Sequence, residues 1–284
     1  MNPTTANLAA IDGWLDQLAQ ETDHARHSAA FTGYLQAMAQ FWRYSQHNSL
    51  LIMQQRPDAT HINSRKRWAQ LGYTLGEGQW KNAIQILCPH FKTVKDEETG
   101  QEGKILDYFT TGYIYDVAQM EAGPDAQPVS APWVTLAGDY DSLYALLHAV
   151  CTNLHITVRV ETLEGSSKGY STGTGQIVLA RCEEQGNAVQ TLVHELAHEI
   201  CHPSILRPQF SRQEVECQAE AVAYCVGQAL GMETPNSPTY LALYGVTPDV
   251  LKANAQAIHH GVQRILREVE RVSDLITDAA GNAA

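Results

Sequence analysis

The stretch TLVHELAHEICH, residues 191–202, holds two histidines four apart, a glutamate beside the first and a third histidine one turn later. On a helix, His194 and His198 differ by about 40° of rotation and one turn of rise, so both imidazoles leave one face. That geometry sets two nitrogens around one ion at the ~2.0–2.1 Å bonds that zinc takes. Glu195 lies about 100° round from His194, badly placed to complete a tetrahedron but well placed to take a proton from water acidified by the ion. The competing reading is an ordinary helix that happens to bear histidines. His202 has neither the glycine nor the longer step of an HExxHxxGxxH pattern, and reads as a helix-end residue before Pro203.

A catalytic zinc keeps three protein ligands and one open position, so a third donor has to come from another segment. SRQEVECQAEAVAYCVGQALG, residues 211–231, supplies the candidates. Glu216 follows His198 by eighteen residues on an expected helix; Glu220 shares its face, whereas Glu214 points about 200° away. The small side chains of Ala219, Ala221 and Ala223 would let two helices approach closely. Glu216 is therefore the expected ligand and Glu220 the carboxylate that holds a histidine N–H. An exchange of those two roles stays open, as does a merely solvated acidic face. The expected ion is Zn2+, with another divalent ion such as Mn2+ as an alternative, and the expected chemistry is peptide-bond hydrolysis with Glu195 as the catalytic base. Tyr170 and Tyr224 are both available to stabilise an oxyanion, and the spacing chooses neither.

The elements that must position these residues follow from the patterning of 284 residues that are 44% hydrophobic and 18% charged, a globular composition. Helices are expected at Ala6–Gln20 and Ala29–Tyr44 and in NSLLIMQQRP, which Pro57 ends. A capped helical turn is expected in INSRKRWAQLG, and strands in AIQILCPHF and YFTTGYIYDVAQM. EAGPDAQPVSAPW, residues 121–133, reads as a boundary between domains 1–125 and 126–284. Beyond it come a helix in DYDSLYALLHAVCTNL, strands in HITVRVETL and QIVLA, and helices over about 186–202, 212–230 and from Asp249 towards Leu275. The glycine-rich EGSSKGYSTGTG lacks phosphate-loop spacing and leads into a β-branched strand, so it reads as a flexible hairpin or a rim.

Six cysteines without CxxC spacing read as buried thiols, and no apolar run reaches the ~18–20 residues of a membrane span. No secretory signal pattern opens the chain, which makes the cytoplasm the expected location. The net charge of −12 argues against a general nucleic-acid coat. Charge is uneven, however: between Phe41 and Lys95, eight basic residues face only Asp58 and Glu77. Such a segment can bind phosphates, or can simply be a solvated basic face.

The blocks YSQHNSLLIMQQRPDAT, RKRWAQLGYTLGEGQWKNAIQILCP and GYIYDVAQMEAG, followed by LVHELAHEICH and EVECQAEAVAYCVGQALG, together resemble the ArdC-type antirestriction proteins of plasmids and mobile elements. The last two blocks are also similar to ImmA/IrrE-like zinc peptidases, whose E-x-x-A pattern supports Glu216. The resemblance implies an α+β fold of two domains: an N-terminal α+β module that binds single-stranded DNA without sequence preference, and a C-terminal zincin-like metallopeptidase domain with a helical C-terminus. Carried over by position, it points to Arg65, Lys66, Arg67, Trp68, Trp80 and Lys81 as DNA-binding residues, with cations along the backbone and rings on bases; core packing is the competing reading for Trp68 and Trp80. The competing expectation is a protective DNA-binding protein with a structural metal and no proteolysis.

Overall fold

A computed structural model describes residues 2–21, 24–95, 102–129, 138–181, 185–232 and 248–281. Cys182 and the 130–133 end of the expected boundary segment lie outside them. The fold is mixed α+β. In chain order, helices α1 (Pro3–Gln20), α2 (His24–Gln40) and α3 (Gln46–Gln55) precede β1 (Ile62–Ser64), α4 (Arg65–Gln70), β2 (Tyr73–Leu75), β3 (Ile84–Lys95), β4 (Glu102–Asp116) and β5 (Met120–Ala122). There follow α5 (Tyr140–Asn153), β6 (Thr157–Glu161), β7 (Gly169–Ser171), β8 (Gln176–Ala180), α6 (Gln185–Cys201), α7 (Arg212–Ala229) and α8 (Pro248–Gly281). Two compact units divide the chain: Met1–Asp16 with His47–Val129, and Gln17–Gln46 with Ser130–Ala284.

In the first unit an antiparallel sheet of order β1-β4-β3 lies beside a two-stranded β2-β5 pair. β3 and β4 form a long ribbon, with a bulge between His90 and Phe91. Its inner end is core, where Ile84, Leu87 and Ile114 are buried; its outer end leaves Phe91, Ile105, Leu106 and Tyr108 exposed. An edge strand carries unpaired backbone groups. Here Asn48 and Gln55 on α3 stand in for a neighbouring strand, each exchanging two hydrogen bonds with the backbone of Leu87 and Gln85, respectively. α3 stops at Gln55 ahead of Pro57, as the proline requires. Ser64 caps α4 by accepting from Arg67 N–H, and Gly72 at φ 84° turns the chain away where a Cβ would lie 2.9 Å from Ala126 Cα. Asp116, 1% exposed, binds the crossing into this sheet: its carboxylate accepts from the N–H groups of Thr60, His61 and Ala118 at 2.7, 3.1 and 2.9 Å.

The second unit packs helices α5, α6, α7 and α8 with a three-stranded sheet of order β6-β8-β7, in which β6 runs parallel and β7 antiparallel to β8. α7 is buried on most sides and is lined by small residues, among them Ala219, Ala221 and Gly227. Gly261 lets α8 pass closely, since a Cβ there would come within 2.6 Å of Cys201 Sγ and 2.9 Å of Val222. The glycine-rich segment contains β7, and it is anchored rather than loose. Glu199 on α6 accepts from Gly173 N–H at 2.6 Å, Gly175 N–H at 2.8 Å and Ser171 Oγ–H at 2.9 Å. One buried carboxylate thus binds the rim of the sheet to the helix that carries the paired histidines.

Two stability predictions follow from these carboxylates. Asp116→Ala leaves three backbone donors without their acceptor and should lower unfolding free energy by roughly 2–4 kcal/mol, read as a lower urea midpoint; an unchanged midpoint contradicts it. Glu199→Ala should free the 164–175 segment, giving faster limited proteolysis there and a lower Tm, whereas wild-type cleavage rates would refute the anchoring.

Candidate metal centre

α6 forms because Val189, Leu192, Val193, Leu196 and Ala197 recur at helical spacing and are all essentially without exposed surface. That phase turns His194 and His198 towards α7. α7 starts at a capping box in which the Glu214 carboxylate accepts from the Ser211 backbone N–H. Glu214 is therefore spent on the helix start, and Glu216 is the carboxylate that meets the histidines.

The donor atoms of His194, His198 and Glu216 converge. His194 Nε2 and His198 Nε2 lie 3.1 Å apart, and Glu216 Oε2 lies 3.7 and 3.6 Å from them. The point equidistant from three atoms with those separations is about 2.0 Å from each, which matches the ~2.0–2.2 Å of Zn–N and Zn–O bonds. The donor set fits a divalent ion, and the separations suit zinc and manganese alike. Burial pushes His194 below the usual histidine range, while the carboxylates of Glu216 and Glu220 pull the other way. The neutral imidazole so favoured is the form a metal takes.

Glu195, 7% exposed, sits beside this cluster on the same helix. Glu220 is exposed and reaches His194 through its charge, whereas the Nδ1 of His198 faces His202 at 3.4 Å. His202 does follow the end of α6, but its ring has no exposed surface and its Nε2 lies 2.9 Å from Gln218 Oε1. Gln218 Nε2 in turn donates to Asn254 Oδ1 on α8 at 2.8 Å. Motif spacing singled out neither Gln218 nor Asn254. Tyr170 on β7 is 45% exposed, while Tyr224 is buried and its hydroxyl accepts from Gln36 Nε2. Burial pushes the thiols of Cys151, Cys201 and Cys217 up to about 12.

Among the residues expected to bind DNA, Arg65, Lys66 and Arg67 are exposed at the head of α4. Trp80 is 65% exposed, with the Lys81 ammonium 5.4 Å from its ring. Trp68 is a correction. It has no exposed surface, and its indole N–H donates to Tyr115 O at 2.8 Å, so it packs the core and offers no face to a base. Among the described residues no helix is long and apolar enough to cross a membrane.

Residues 151–227 match the peptidase M78 family model, the IrrE N-terminal-like domain, a span that includes both histidines and Glu216. The uncharacterized protein pXO2-81 of Bacillus anthracis is 22% identical, over 84% of this chain and 46% of that protein, so the chain spans about half the length of this curated relative. The crystal structure of metal-free antirestriction ArdC protein from the R388 plasmid is similar at 19% identity and a TM-score of 0.45, covering 84% of this chain and 86% of that one. Its Mn(II)-bound form gives 17% identity and a TM-score of 0.42, covering 84% and 90%. The family match thus falls on the segment that carries the paired histidines and Glu216.

Proposed function

We propose that this chain is an ArdC-type antirestriction protein that binds single-stranded DNA through its first unit and hydrolyses peptide bonds at a divalent-metal site in its second. The observation that carries the reading is the convergence of His194, His198 and Glu216 beside a buried Glu195. Three protein donors leave room for a further ligand, which favours catalysis over a closed structural site. A divalent cation held there supplies Lewis acidity, drawing the pKa of water towards neutrality and polarising a carbonyl. Glu195 is the group to accept the proton from the attacking water and pass it to the leaving nitrogen. Its burial on the helix that bears both histidines supports that role. The family match over 151–227 and the ordered sequence blocks of both halves support the assignment.

For DNA, Arg65, Lys66, Arg67 and Lys81 supply cations to phosphates and Trp80 supplies a stacking face. Phe91, Tyr108 and Tyr113 on the β3–β4 ribbon are further exposed rings in the same unit. His90 already stacks on Tyr108, with ring centroids 4.7 Å apart.

The wild-type, metal-loaded protein should cleave a peptide library, and Glu195→Gln should keep the bound divalent ion while losing that cleavage. Equal cleavage by both would remove Glu195 from the chemistry. Metal binding with no cleavage by the wild type would favour the protective, non-proteolytic protein. Trp80→Ala should weaken binding of a fluorescent single-stranded oligonucleotide by about 1–3 kcal/mol, and wild-type affinity should fall as salt rises. An affinity that ignores both the substitution and salt would contradict the DNA assignment.

A further inference from the structure

A run of hydrogen bonds leads from His198 to the backbone of α8, and its direction is set from the far end. The carbonyl of Val250 can only accept. It takes a bond from Asn254 Nδ2 at 2.9 Å, which turns Asn254 Oδ1 towards Gln218. That oxygen also only accepts, so Gln218 must offer its Nε2, at 2.8 Å, leaving Gln218 Oε1 towards His202. Gln218 Oε1 has no proton, and His202 Nε2 lies 2.9 Å from it, so that nitrogen carries the proton.

The ring of His202 has no exposed surface and lies edge-on to Phe210, with centroids 5.8 Å apart. A neutral ring with its proton on Nε2 presents Nδ1 as an acceptor. Facing that acceptor at 3.4 Å is His198 Nδ1, which then must donate. A neutral His198 with its proton on Nδ1 has its lone pair on Nε2. That nitrogen is the one that meets His194 Nε2 at 3.1 Å and Glu216 Oε2 at 3.6 Å.

We propose that Asn254, Gln218 and His202 form a one-directional hydrogen-bond relay that fixes His198 as the Nδ1–H tautomer and presents its Nε2 lone pair to a divalent cation. Asn254, on a helix that contributes no donor atom to the cluster, is thereby a positioning residue for the metal centre. The relay rests on the reading of His194, His198 and Glu216 as that centre. It differs from the usual single carboxylate or carbonyl behind a ligating histidine. Here a second histidine and two carboxamides carry the polarity across three helices, with every intermediate group both donating and accepting. All four side chains are buried, at 4% exposure for His198, 0% for His202, 3% for Gln218 and 4% for Asn254, so water does not readily substitute for a missing member.

The test combines 15N-histidine NMR of the metal-free protein, above the histidine titration range, with zinc affinity measured against a chelating indicator. In the wild type the proton should sit on His198 Nδ1 and His202 Nε2. Gln218→Leu removes the acceptor and should mix the His198 tautomers and weaken zinc binding by about 10–100-fold. Asn254→Leu lets the Gln218 carboxamide turn over, and should weaken zinc binding by roughly tenfold with the same tautomer mixing. A wild-type His198 carrying its proton on Nε2, or unchanged tautomers and affinity in both leucine variants, would overturn the relay. If Gln218→Leu fails to fold, the wild-type spectrum and Asn254→Leu still decide. A wild type that binds no divalent ion sinks the metal centre itself; one that binds zinc with the wrong tautomer sinks only the relay.

Discussion

The close approach of α6 and α7 is the constraint on which the second unit turns. Two imidazoles on one helix can be brought together by spacing alone, but a third donor only 3.6–3.7 Å away demands that another helix lie almost against them. The alanines and cysteines along the buried side of α7 make that approach sterically available. Gly261 does the same for α8, whose Asn254 then reaches the polar interior. Small side chains therefore serve as more than filler. They fix the distance at which lone pairs converge, and each added methylene at these contacts would push donors apart.

Burying so many polar groups near one site is tolerable only when each has a partner. Glu199 takes up the backbone donors of the glycine-rich rim, Glu214 serves its own helix start, and His202 hands its ring nitrogens to Gln218 and His198. His194, His198 and Glu216 are the side chains that converge on one point, at separations that suit a divalent cation. Glu195 stands apart from that set on the same helix, and this is the separation that a base distinct from the ligands needs.

Much of this was legible in the sequence, for identifiable reasons. The four-residue step between His194 and His198 carries its own geometry, and Glu216 is marked by a helix patterned with alanine. The capped turn at Ser64 and the stop before Pro57 are local chemistry. The sequence left Trp68 open between stacking on a base and packing in the core. In RKRWAQ three cations and a ring share a six-residue helix, and only the Ser64 cap and the sheet beneath decide that the cations face out and the ring in. The anchoring of EGSSKGYSTGTG was hidden because its acceptor, Glu199, lies on a helix beyond the next strand. Gln218 and Asn254 stand 36 residues apart, a pairing that no periodicity announces. Nor does local patterning say that α2, early in the sequence, belongs to the compact unit that holds the histidines.

The most direct measurement of the central claim is X-ray absorption at the metal edge of protein loaded with one equivalent of zinc. The account predicts a first shell of two imidazole nitrogens and at least one carboxylate oxygen at ~2.0–2.2 Å, with the multiple-scattering signature of two rings. A shell containing sulfur at ~2.3 Å, or oxygen alone without imidazole scattering, would contradict it.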